Sequence, residues 1–169
     1  RACRQVVIPL WALHIGLDAA TTSLIYGIMG AVDMLLFYPA GKVMDLRGRR
    51  AITLPSMLIM GASLLLVPFT TGFASLLAVS MVLGVGNGIG SGIILTTAAD
   101  ASPEMGRTQF IGVWRIITDL GGGGGPVLFS ALTAVLSLAW GIVGVGATGF
   151  VAAWMFWRWM PRGGGKAPG

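Results

Sequence analysis

Charge is scarce in this chain. Only 10% of its 169 residues are charged and 55% are hydrophobic, whereas soluble domains carry roughly 25% charged residues. A domain of this size leaves much of its surface wet, so no aqueous fold could hide that much apolar surface. The composition defines an integral membrane protein. Histidine and cysteine are almost absent too. With His14 alone, the usual two- or three-histidine metal sites are excluded. With Cys3 alone, an intrachain disulfide and a cysteine metal cluster are excluded, and no metal or other cofactor is expected. No Ser-His-Asp set is available. A G-x-G-x-x-G phosphate cradle started at Gly84 would end on Ile89 with no strand before it, so the nucleotide motif fails and an enzyme is discounted. Six acidic residues face eleven basic ones, a formal net charge of +5. In a membrane chain that excess reports orientation, and no nucleic-acid partner is expected.

What is abundant is the long apolar run. A bilayer core of about 30 Å takes roughly 20 residues of helix. Runs of that kind cover about 21–40, 51–69, 73–98, 108–135 and 138–160, the fourth interrupted by "GGGGGP". Ahead of them "VVIPLWALHIGL" is too short to span alone and reads as the outer part of a helix. No cleavable signal peptide is evident in residues 1–20, and the chain opens on Arg1 without Met, so truncation of the bundle at its N-terminus is expected. The predicted fold is all-α, a polytopic transmembrane helix bundle over residues 1–160, with residues 161–169 a disordered tail.

Eight of the eleven basic residues, Lys42, Arg47, Arg49, Arg50, Arg107, Arg158, Arg162 and Lys166, fall in the 41–50 loop, the 100–107 loop and the tail. The alternate connections near 16–20, 70–72 and 136–139 carry none. That asymmetry predicts that both charged loops and the C-terminus face the cytoplasm, and a bacterial inner (plasma) membrane is expected. Trp140 toward one face and Trp154, Trp157 and Trp159 toward the other suit interfacial belts.

Within the first charged loop, Gly41, Asp45, Gly48, Arg49 and Arg50 follow the spacing G-x-x-x-D-x-x-G-R-R. This resembles the loop signature of the major facilitator superfamily, with Leu46 standing where the family often has Arg. "AADASPEMGR", with Asp100, Glu104 and Arg107, is similar to the acidic loop after the family's tenth helix. "RIITDLGGGGGP" is similar to the Gly-Pro portion of an interface helix. The helix reading "LGVGNGIGSG" lacks the Arg found in the fourth helix of the family's first half. The resemblance therefore implies the second half, helices eight to twelve after a partial seventh, and a partner in the N-terminal half of the same transporter. It also implies a conformational latch of Gly41, Asp45, Arg47, Gly48, Arg49, Arg50, Asp100, Glu104 and Arg107. The alternative for the loop is a positive-inside segment with an incidental Asp.

Charges inside the apolar runs point to chemistry. Asp33 lies about eight residues before the loop, Arg115 about as far into the fourth run, and Asp119 one turn deeper. A charge at that depth costs at least about 2.5–3.5 kcal/mol, so each needs a partner or water. Arg115 and Asp119 stand i, i+4 and can pair on one helix face. Asp33 then either pairs with Arg115 across helices or titrates, and proton coupling and a static ion pair both remain open. His14, near the outer end of the first helix, is a lesser candidate for a proton role. The run Gly121–Gly125 with Pro126 is expected to break its helix. Gly125 and Pro126 then line a cavity or serve close packing. Gly84, Gly88 and Gly92 on one face, and Gly86 and Gly90 on another, predict small-residue helix packing. Asn87 and Ser91 either line a cavity or hydrogen-bond between helices.

The function these readings support is secondary active transport by alternating access, of permease or efflux type, with protons and a small molecule as the transported partners. The sparse polar lining hints at an apolar or amphipathic substrate. The alternative is a non-transporting helical membrane protein that assembles through its glycine faces.

Overall fold

The computed structural model describes residues 1–48, 50–103 and 106–159. All regular structure among them is helical: α1 (Arg4–His14), α2 (Ala19–Arg47), α3 (Arg50–Leu66) continued by a 3-10 turn (Val67–Phe69), α4 (Phe73–Gly90), α5 (Ile93–Ala101), α6 (Arg107–Val135) and α7 (Leu138–Trp159). Among the described residues, four stretches are long and apolar enough to cross a membrane: Ala19–Met44, Ala51–Phe69, Phe73–Gly90 and Leu138–Arg158. α6 equals α2 in length at 29 residues, but its glycines, Arg115 and Asp119 make it less apolar.

Three boundaries differ from the sequence expectation, each for a physical reason. α2 runs on past residue 40 to Arg47, so most of the charge cluster is the helix's last turns rather than a loop. Cations at a helix C-terminus complement its dipole, and Gly48, at φ +80°, then turns the chain in a conformation other residues rarely adopt. The 73–98 run is broken at Ser91–Gly92, where α4 ends and α5 begins. There Ser91 donates its hydroxyl to the Gly88 carbonyl at 3.0 Å, and such back-bonding weakens a helix already poor in side chains. The run Gly121–Gly125 with Pro126, expected to be a break, lies inside an unbroken α6. Pro9, Pro39 and Pro55 also sit within helices. An apolar environment offers a freed carbonyl no competing water, so the helix persists around proline. The turn preceding Pro126 is all glycine and has no Cβ to crowd the ring.

Glycine decides how the helices approach. A Cβ built on Gly84 would lie 2.6 Å from the Met29 carbonyl oxygen, and one on Gly88 2.5 Å from that of Asp33, so α2 lies against bare α4 backbone. On the other face of α4, a Cβ on Gly86 would lie 2.9 Å from Ile59 and Met60 side chains of α3. α3 in turn meets α7 where Gly61 faces Gly146 and Gly149, with 3.0 Å from a Gly149 Cβ to the Gly61 Cα. Gly84, Gly86, Gly88 and Gly90 of the predicted small-residue faces are therefore occupied within the chain, whereas Gly92, beyond the end of α4, meets only the Met44 methyl. The one core that ties the layers together contains Val7, Ile8 and Trp11 of α1, Ile25 and Met29 of α2, Leu64 and Val67, Leu76 and Leu83 of α4, Phe129 of α6, and Ile142 and Val145 of α7. Trp11 fixes the outer end of α1 by donating its indole N–H to the buried Thr70 hydroxyl at 2.8 Å.

α6 behaves differently. Phe129 is its buried residue, Ile116, Ile117, Leu120 and Val127 are 61–71% exposed, and Cβ atoms on Gly121, Gly122, Gly123 and Gly124 would meet nothing within 4 Å. Replacing Gly121, which lies outside the turn before Pro126, by Ala should therefore leave the bundle intact and its stability unchanged or slightly raised. Thermal unfolding of the detergent-solubilised chain measures this. A loss of stability would mean that another surface covers this face.

Candidate functional site

The middle of the bundle carries its polar chemistry. Asp33 stands halfway along α2, 14 residues from Ala19 and 14 from Arg47. Asn87 stands 14 residues from Phe73 and 14 from Ala101, at the centre of the α4–α5 segment. At 1.5 Å per residue each is about 21 Å from either end. Gly88 brings the α2 backbone against α4 here, and this close approach places the two side chains in contact. Asn87 donates Nδ2–H to Asp33 Oδ2 at 2.7 Å. Arg4, at the inner end of α1, donates Nη2–H to the same oxygen at 3.0 Å, the one ion pair among the described residues. Its partners are shielded, with 15% and 18% side-chain exposure.

A second guanidinium completes the cluster. Arg1 donates Nη2–H to Ser56 Oγ at 3.1 Å and reaches the Asn87 side-chain and backbone oxygens at 3.5 Å. Ser56 passes its own proton to the Gly86 carbonyl at 2.7 Å. Arg1 lies on bare backbone, since a Cβ on Gly90 would collide with both the Arg1 guanidinium and Ser56 Oγ. Four elements thus converge: α1 and the residues before it, α2, α3 and α4. Arg1 Nε and Arg4 Nη1 are buried without a hydrogen-bond partner among the described residues.

The other candidate residues are placed as follows. Arg115 and Asp119 are both exposed on α6, and no ion pair joins them to each other or to Asp33 among the described residues. Their one-turn spacing permits a pair, but that pair is not formed. The partner of Asp33 is Arg4 rather than Arg115, because α1 lies beside α2 while α6 packs on α7. His14 is exposed at the far end of α1, 5.0 Å from the Trp11 ring. Of the predicted cavity-lining residues, Asn87 joins the ionic cluster and Ser91 bonds to its own helix. Gly125 faces inward, where a Cβ would lie 2.8 Å from Cys3 Sγ, and Pro126 beside it is half-buried.

A cavity of about 220 Å³ does exist between α2 and the α4–α5 break. Phe37, Ala40, Gly41, Met44, Gly88, Ile89, Gly92 and Thr96 line it. Gly41 therefore belongs to a helix wall, whereas Gly48 makes the turn of the signature. Arg107 opens α6 and is exposed. Arg49 and Glu104 lie outside the described residues, as do the side chains of Asp45, Arg47, Arg50 and Asp100. The tail 161–169 also lies outside them.

Arg4, Arg1 and Ser56 were missed by sequence reasoning. The signal was present. A first helix of 11 residues covers only about 16 Å, so if His14 lies near the surface, Arg4 lies near half-depth. Arg1 and Arg4, with Arg115, are also the three basic residues that the charged loops and tail do not claim.

The described residues thus form a helix bundle with four spans apolar enough to cross a membrane and a charged cluster at half-height. A family model described as Major Facilitator Superfamily matches residues 3–169, and the chain belongs to that superfamily of membrane transporters. No curated protein matches it.

Proposed function

We propose that the chain is the C-terminal half of an alternating-access secondary transporter, coupled to protons through Asp33. The observation that carries this reading is a carboxylate at half-height held by Arg4 from α1 and Asn87 from α4. With Asp33 ionised, one oxygen ties three segments together. A proton on Asp33 cancels the attraction to Arg4, and α1 is freed to move relative to α2 and α4. The charged and polar groups facing Asp33 are Arg4 and Asn87, with Arg1 reaching Asn87 behind them.

The exposed face of α6, with Arg115 and Asp119, fits an interface or water-lined pathway shared with an N-terminal half, since intramembrane charges face protein or water rather than lipid. The loop residues Asp45, Arg47, Arg49, Arg50, Asp100, Glu104 and Arg107 act in this reading as a cytoplasmic latch, with the charged loops inside a plasma membrane. The α4 glycine faces proposed for assembly are turned inward onto α2 and α3, which supports transport over assembly of copies through them.

Asp33→Asn keeps the size and the hydrogen-bonding capacity of the side chain but cannot titrate. In proteoliposomes holding the complete transporter, flux should lose its dependence on an imposed pH gradient and on bulk pH. If Asp33→Asn retains the wild-type pH profile, the proton role belongs elsewhere.

A further inference from the structure

The charge balance of the cluster is uneven. Among the described residues, two guanidinium groups share the cluster with one carboxylate: Arg4 pairs with Asp33, while Arg1 reaches Asn87 and Ser56. The remaining partners, Asn87 and Ser56, are neutral. Arg4 Nη1 and Arg1 Nε are buried with no acceptor among the described residues, and the Arg1 contacts with Asn87 are at the 3.5 Å limit of a hydrogen bond. Leaving a buried donor unmatched is costly, and more so for a charged group. The single carboxylate of the cluster, among the described residues, balances one of these two cations. One arginine would neutralise Asp33, while a second raises the burial cost. A planar guanidinium fork matches a carboxylate in two parallel bonds.

The geometry points to this cluster as the seat of an organic monocarboxylate, an anion whose charge offsets the excess cation and whose oxygens accept from Arg1 and Arg4. The inference rests on the transporter reading above and names its substrate class. It agrees with an amphipathic substrate, the carboxylate being the polar end.

A coupling rule follows. Asp33 and the incoming carboxylate compete for Arg4. An ionised Asp33 occupies Arg4 Nη2 and repels the anion, whereas a protonated Asp33 releases Arg4 to it. Anion and proton therefore bind together and favour movement in the same direction. The proton is held on the Asp33 carboxyl, the ligand stays ionised, and no covalent bond changes.

The test is equilibrium binding without any gradient, on the full chain in lipid nanodiscs, with benzoate as the probe and benzamide as its uncharged counterpart. Benzoate should bind saturably, raise the unfolding temperature and bind more tightly at acid pH, while benzamide does none of these. Arg4→Lys keeps the charge and the pair with Asp33 but loses the fork, and it should weaken benzoate about tenfold, the loss of one charged hydrogen bond. Asp33→Asn should tighten benzoate about tenfold and abolish the pH dependence of binding. A merely structural Asp33 would give no tightening.

Equal binding of benzoate and benzamide would overturn the inference in favour of an apolar site. So would an absence of benzoate binding, which is expected if a carboxylate of another protein segment saturates the arginines. Proteoliposome flux separates the two readings. Benzoate binding without pH-dependent flux sinks proton coupling alone, and pH-dependent flux without benzoate binding sinks the anion assignment alone.

Discussion

Asp33→Leu should destabilise the bundle by about 3 kcal/mol. Removing one member of a buried pair leaves the other charge uncompensated, which typically costs 3–5 kcal/mol. The lower end applies because Arg4 and Asp33 keep 15% and 18% side-chain exposure. The loss extends beyond the pair, since Asn87 Nδ2 loses its acceptor at the same time. The double variant Asp33→Leu/Arg4→Met should recover much of the stability, because an apolar pair of similar volume replaces both charges. Unfolding of the two single variants and the double variant in detergent gives the coupling directly. A coupling below about 0.5 kcal/mol, the level of an exposed pair, would show that Asp33 and Arg4 do not hold α1 to α2.

The second large effect concerns a residue with no side chain. Gly88→Ala should destabilise the chain by about 2–3 kcal/mol, at the upper end of overpacking costs. The new methyl would sit 2.5 Å from the Asp33 carbonyl oxygen and 3.0 Å from its Cα, and backbone cannot rotate away as a side-chain tip can. α2 must then move off α4, which draws Asp33 away from Asn87. The variant should therefore impair proton-dependent flux as well as stability. Gly92→Ala, whose Cβ would meet only the Met44 methyl at 3.9 Å, is the matched control and should be close to neutral. If Gly88→Ala proved as mild as Gly92→Ala, the close approach of α2 and α4 would not be what positions the cluster.

These two positions were legible in the sequence to different degrees. Asp33 stands out because a lone carboxylate in a 20-residue apolar run has few explanations. Gly88 stands out through its spacing with Gly84. The partner was the harder part. Arg115 is the cation placed symmetrically in another long run, and distance along the chain cannot tell it from Arg4 at the inner end of a short helix. Only packing order can, and that order puts α1 on α2 and sends α6 to α7. The glycine-proline run of α6 shows the opposite failure. Local propensity argued for a break, but propensities measured in water lose their force where no water competes for the backbone. The break falls instead at Ser91–Gly92, where a hydroxyl competes from within the chain.

Composition and hydropathy by themselves determined that this protein is a helical membrane bundle and where most of its helices lie. Spacing marked Gly48 as a turn and put Gly84 and Gly88 on one face of a helix and Gly86 and Gly90 on another. All of these follow from how each residue partitions between lipid and water and from helical period, which are local properties. The tertiary structure alone decided that Asp33 is shared by Arg4 and Asn87 and that Arg1 adds a second guanidinium beside them. It also decided that Arg115 and Asp119 face outward. Those outcomes depend on which helices touch, and contact between segments far apart in sequence is set by the summed fit of whole surfaces rather than by any one stretch of residues.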